Sequence, residues 1–166
     1  MRHFLITALL FITILASAQP RPEMTPQGFA PVEFPAPNKT FEKIVELSKS
    51  WAASYDKKRK ADVFDVTANS LLIQGWNEYA FFYRNIGVRY DYNIIYTMKV
   101  TFLEDKRYTI TFAVKEIYAE DVLTKMTIAS FFTPDGKLKD DYTEVKPSLE
   151  SRVETILKSY SNFIAK

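Results

Sequence analysis

The chain has 166 residues, with 22 basic and 20 acidic side chains, one histidine and no cysteine. A formal net charge of +2 creates no field strong enough to gather nucleic acid or an anionic membrane. The missing thiols exclude disulfides, cysteine nucleophiles and thiolate metal sites, and the lone histidine is His3, at the very start.

Met1-Arg2-His3 precedes an apolar run from Phe4 to Leu15 and the small residues Ala16-Ser17-Ala18. A cationic start, a short apolar core and small residues before a cleavage point are the parts of a secretory signal peptide. The run is shorter than the roughly 18–20 residues that span a bilayer. Residues 1–18 are therefore expected to be removed between Ala18 and Gln19, sending the rest to the periplasm or the cell exterior. The mature chain would have 148 residues, no transmembrane segment, no histidine and a net charge of +1. That is one domain's length, and ten tyrosines, two tryptophans and eleven phenylalanines remain to build its core.

Six of the eight prolines lie in residues 19–37. Proline fixes φ and removes a hydrogen-bond donor, so 19–30 reads as an extended leader, with a short edge strand at Val32–Phe34. From Thr40 to Tyr55 the apolar period becomes helical: Phe41, Ile44, Val45, Ser48, Ala52 and Tyr55 share a face, bordered by Trp51. Asn38 or Thr40 is placed to cap it, and Lys57-Lys58-Arg59-Lys60 suits its negative C-terminal pole.

The middle of the chain reads as antiparallel sheet. Val63–Thr67 and Leu71–Trp76 form a short hairpin around 68–70, and 77–89 shows no clear period. In Tyr90–Phe102 the even positions are apolar; in Lys106–Tyr118 so are Tyr108, Ile110, Phe112, Val114 and Tyr118. Cross-strand partners share a face, so Phe102 must oppose Tyr108, not Arg107. This requires a three-residue loop, Glu104-Asp105-Lys106, of the type I turn plus bulge kind. Met126–Thr133 reads as a further strand, ended by Pro134-Asp135-Gly136. Pro147 suits the first turn of a closing helix whose stripe is Leu149, Val153, Ile156, Leu157, Tyr160, Phe163 and Ile164.

Chemistry is sparse. A Ser-His-Asp triad and an imidazole zinc site are excluded in the mature chain. Ser54-Tyr55-Asp56-Lys57 has Ser-x-x-Lys spacing but lacks the companion Ser-Asp-Asn and Lys-Thr-Gly elements. The pairs Glu104-Asp105 and Asp140-Asp141 fall in loops, and the four glycines Gly28, Gly75, Gly87 and Gly136 form no phosphate cradle. No catalytic residue, metal or cofactor is expected. The surplus of aromatics does point somewhere: Tyr79, Phe81, Phe82, Tyr83 and Tyr90 form a candidate interaction surface.

The Ala16-Ser17-Ala18/Gln19 leader, the strand Val32–Phe34, the helix with Phe41, Ile44, Trp51 and Tyr55, the segment Phe64–Leu72, the hairpin through Glu104-Asp105-Lys106-Arg107-Tyr108 and the closing helix together resemble an exported bacterial family of unknown function. The family has a TATA-box-binding-protein-like (TBP-like) fold. Over residues 31–166 the resemblance implies an α+β domain of order β-α-β-β-β-β-α, with five or six antiparallel strands and both helices on one face. It carries over no site residues. Helix-grip and cystatin-like folds are the alternatives. The expected function is a non-enzymatic interaction module with a protein partner. The alternative is a carrier of an apolar small molecule, held between sheet and closing helix by Tyr92, Tyr96, Met98, Phe112 and Tyr160. Nucleic acid is not an expected partner.

Overall fold

The computed structural model describes residues 21–56, 59 and 61–166. The expected signal peptide and most of the basic run 57–60 lie outside them. Among the described residues no helix is long and apolar enough to cross a membrane.

The elements follow in the order β1 (Met24–Thr25), β2 (Gly28–Phe29), β3 (Val32–Pro35), α1 (Phe41–Tyr55), β4 (Asp62–Phe64), β5 (Ser70–Asn85), β6 (Val88–Phe102), β7 (Arg107–Ala119), β8 (Val122–Leu123) and α2 (Val145–Ala165). Strands β3-β7-β6-β5-β4 lie side by side in that order, and β8 pairs with the far end of β7. Every pairing is antiparallel. The domain is α+β, as its alternating strands and two striped helices require.

Helix α1 begins where the Thr40 hydroxyl accepts from the Lys43 N–H at 3.3 Å, a side-chain N-cap. It buries Ile44, Ser48, Trp51 and Ala52, so Trp51 sits in the centre of the inner stripe rather than at its border. Helix α2 buries Val145, Leu149, Val153, Ile156, Leu157, Tyr160 and Ile164, the expected stripe apart from Phe163 at its margin. These side chains meet the inner face of the sheet, where Ile73, Ile94, Tyr96, Met98, Val100, Ile110 and Phe112 are at most 2% exposed. Between the helices, Ser48 and Tyr160 share a 2.9 Å hydroxyl–hydroxyl bond, and Ser48 donates to the Ile44 carbonyl. The Trp51 indole donates to Ser159 Oγ at 3.1 Å.

The β6–β7 register is as loop parity demands: Phe102 opposes Tyr108, Val100 opposes Ile110, Met98 opposes Phe112 and Thr101 opposes Thr109. Lys106 takes φ 59°, the left-handed residue of the three-residue loop. Farther along, Ile95 opposes Glu116 while Tyr96 opposes Val114, so Lys115 is an extra residue in β7. This bulge inverts the pattern beyond it. Ile117 turns inward at 1% exposure, and Tyr118, expected inside, turns to the open face against Trp76, ring centroids 5.0 Å apart.

Three other expectations are corrected. Residues 24–29 of the leader form a small hairpin, and Met24 and Phe29 enter the core; Phe29 meets Phe112 edge-on at 5.6 Å. Met126–Thr133 is no strand. Ile128–Phe131 is a 3-10 turn, closed by Ser130 N–H donating to the Thr127 carbonyl and Thr127 N–H donating to Ser130 Oγ, both at 3.0 Å. Those reciprocal bonds offer the backbone a local alternative to a ladder. Finally, 77–89 is mostly strand: β5 runs through it to Asn85, broken in register only between Asn77 and Phe81.

Candidate functional site: an aromatic hairpin arm

Strands β5 and β6 stay paired to Asn85–Val88, but β7 accompanies β6 only from Tyr92 onward. The ribbon between Phe82 and Asp91 therefore projects past the sheet as an arm. A two-residue turn, Ile86-Gly87, closes it with φ of 47° and 77°. Both angles positive is the turn that matches strand twist, and asparagine-glycine is its preferred sequence. Isoleucine there is strained because its branched Cβ crowds the backbone in the left-handed region. It is also 96% exposed, with Val88 at 54% and Tyr90 at 43%.

The two faces of the arm differ. Inside, aromatic rings pass outward from the core. Phe81 stacks on Tyr92 at 5.0 Å, Tyr83 stacks on Tyr92 at 5.9 Å and on Tyr90 at 5.4 Å, and Tyr142 meets Tyr83 edge-on at 5.3 Å. Phe131 ties the row down, 5.4 Å from Phe81 and 5.2 Å from Tyr142. Burial pushes the Tyr92 hydroxyl up to about 12, with help from the neighbouring Tyr83. Outside, Phe82 is clasped by Arg89, whose guanidinium lies 4.0 Å above the ring, and by Arg84 at 5.2 Å. Both arginines are themselves paired, Arg89 with Asp91 at 2.6 Å and Arg84 with Glu144.

At the arm's root, three residues of β5 (78–80) face one of β6. Tyr79 sits there at φ 51° with its side chain 63% exposed. Its backbone is held from two sides: its N–H donates to Asn93 Oδ1 at 2.9 Å, and its carbonyl accepts from Arg152 Nη2 at 3.3 Å. Backbone strain of this kind costs on the order of 1–3 kcal/mol and persists only where the surroundings enforce it. Beside it an open depression of about 780 Å³ runs past Tyr90, Asn93 and Val122.

No protein-family model matches the chain, and no curated relative matches it in sequence. Two solved structures are similar in shape. One is a TBP-like protein from Parabacteroides distasonis ATCC 8503, 14% identical, covering 81% of this chain and 90% of that chain at a TM-score of 0.50. The chain has a TBP-like fold. The other is a DUF4468 family protein from Bacteroides ovatus ATCC 8483, also 14% identical, with coverage of 81% and 80% and a TM-score of 0.47.

On this TBP-like scaffold the five aromatics expected to form one surface separate. Tyr79 and Tyr90 are exposed, Phe82 and Tyr83 are half-buried, and Phe81, at 1% exposure, belongs to the core. Phe81 falls inside because it keeps the odd parity of Ile73 and Gly75; the two extra residues at 78–80 leave it on the helix-facing side, opposite Tyr92. Ile86 and Val88 at the tip were missed. The available signal was Gly87 two residues before an alternating run, but isoleucine in place of asparagine hid the turn. The TBP-like core also fills the layer where a small-molecule cavity was expected. Tyr92, Tyr96, Met98, Phe112 and Tyr160 are 0–7% exposed, and Tyr96 stacks on Phe112 at 5.0 Å.

Proposed function

We propose that this domain is a non-enzymatic interaction module, exported after cleavage between Ala18 and Gln19, that docks a protein partner through the β5–β6 arm. The observation that carries the reading is Ile86: a branched apolar side chain, almost fully exposed, held in a strained turn at the end of a projecting ribbon. Folding alone favours asparagine there, so an exposed isoleucine at this turn points to contact with something outside the chain. Val88, Tyr90 and Tyr79 extend the apolar surface from tip to root. Tyrosine supplies much contact area for little lost entropy, which suits an interface. The interlocked rings of Tyr83, Tyr92, Tyr142 and Phe131 hold the arm in place beforehand, lowering the ordering cost of binding.

The test is mild cross-linking and affinity recovery from the protein's own cells, using the wild type and an I86N/V88T variant. A protein recovered in fixed ratio with the wild type and lost with the variant is the expected result. Equal recovery by both overturns the reading.

A further inference from the structure

The open face of the sheet holds a second feature, separate from the arm's tip. Trp76 opposes Ile95 on the side away from the helices, where a large apolar ring would ordinarily meet water. It is nevertheless only 6% exposed. The Tyr118 ring leans on it, and the Arg59 guanidinium lies 3.9 Å above it. These side chains, with Asp62, Gln74 and Asp121, surround a pocket of about 460 Å³, within the range of small-ligand sites.

Buried within this cluster, the Trp76 indole N–H has no hydrogen-bond partner among the described residues. The other tryptophan shows the usual solution, since Trp51 donates to Ser159. An unanswered buried donor is destabilising and calls for an explanation such as water or a ligand.

The rim defines what would answer it. Asp62 and Gln74 are cross-strand partners on one side. On the other, Asp121 pairs with Arg59 at 3.0 Å, and Tyr118 donates to Glu116, leaving its own oxygen free to accept. The walls thus offer donors (indole, guanidinium, amide) and acceptors (two carboxylates, amide, phenol) around an aromatic and aliphatic floor. Among the described residues, two carboxylates against one guanidinium disfavour phosphate or carboxylate ligands. A simple amine would satisfy the carboxylates and leave the indole and guanidinium unanswered. Hydroxyl groups both donate and accept, and the C–H faces of a sugar ring suit Trp76, Ile95 and Tyr118. The Arg59–Asp121 pair is exposed, and such pairs contribute little, so a ligand can displace or bridge it.

We propose that this pocket binds a saccharide, with Trp76 as floor and donor and Asp62, Gln74 and Asp121 as hydroxyl partners. The test uses ¹⁵N-labelled protein, whose two indole N–H signals report separately on Trp76 and on the enclosed Trp51. Glucose, N-acetylglucosamine and cellobiose are titrated to millimolar concentrations, alongside inorganic phosphate and ethanolamine. At least one saccharide should move the Trp76 signal saturably while Trp51 stays still. Asp62→Asn should weaken that binding at least about tenfold, the scale of one hydrogen bond to a charged group. Because Trp76→Phe alters a buried position, its thermal midpoint is measured alongside; if it is folded, it should bind no saccharide. No saturable shift with any of the three sugars, a response to phosphate or ethanolamine alone, or undiminished binding by folded Trp76→Phe would overturn the proposal.

Discussion

The Tyr96 hydroxyl lies 2.5 Å from the point where a Cβ on Gly75, its cross-strand partner, would stand. No real side-chain carbon approaches another atom so closely, so β5 requires glycine there for β6 to keep a tyrosine at 0% exposure. Gly75→Ala is expected to cost about 1–3 kcal/mol by overpacking. Urea denaturation measures it, and an unchanged midpoint would mean that Tyr96 has another place to go.

Tyr96 carries a cost of its own. Its hydroxyl is buried without a partner among the described residues. Tyr96→Phe removes only that oxygen, and stability is expected to rise by about 1 kcal/mol. A loss of stability would place an unseen partner on the hydroxyl.

Leu157 is enclosed in the buried stripe of α2, at 1% exposure. Leu157→Ala should cost about 2–5 kcal/mol, the usual range for an enclosed leucine. A loss below about 0.5 kcal/mol would contradict the packing described.

Much of this framework could be read in advance, and for identifiable reasons. The Phe102–Tyr108 register followed from parity, because a one-residue slip would have placed Arg107 opposite Phe102. The closing stripe followed from its helical period. What escaped the sequence were irregularities that leave no mark on composition: Lys115 in β7, which shifts parity and exports Tyr118 to the open face, and 78–80 in β5, which turns Tyr79 outward and Ala80 inward. The arm escaped because isoleucine at position 86 gives no turn signal beside Gly87. Met24 and Phe29 escaped because prolines around them signalled only extension. The Trp76 pocket joins residues from β4, β5, β6 and the turn after β7, and no local pattern links those.

Alkaline pH should destabilise the domain once it passes the range in which an exposed tyrosine ionises. Burial raises Tyr92 and Tyr108 to about 12, and raises Tyr96 and Tyr160 further still. The folded state then holds protons that the unfolded chain, with tyrosines near 10, releases. Their contribution is complete below pH 10 and is lost as pH rises toward 12, by about 1.4 kcal/mol per unit for each tyrosine. Denaturation midpoints should fall steeply over that window; a flat profile would contradict the enclosure of these rings.

The tip of the arm should trade stability against contact. Asparagine tolerates the left-handed region better than isoleucine, so Ile86→Asn is expected to leave the thermal midpoint unchanged or raise it by a few degrees. A clear drop would show that Ile86 packs within its own chain.

The most direct test of the interaction surface places a photo-crosslinking amino acid at position 86 and, as a control, at position 105, in the loop at the opposite end of β6. After irradiation in the protein's own cells, a discrete adduct with another protein should form from position 86 and not from 105. Adducts from both positions alike, or from neither, would contradict docking through the arm.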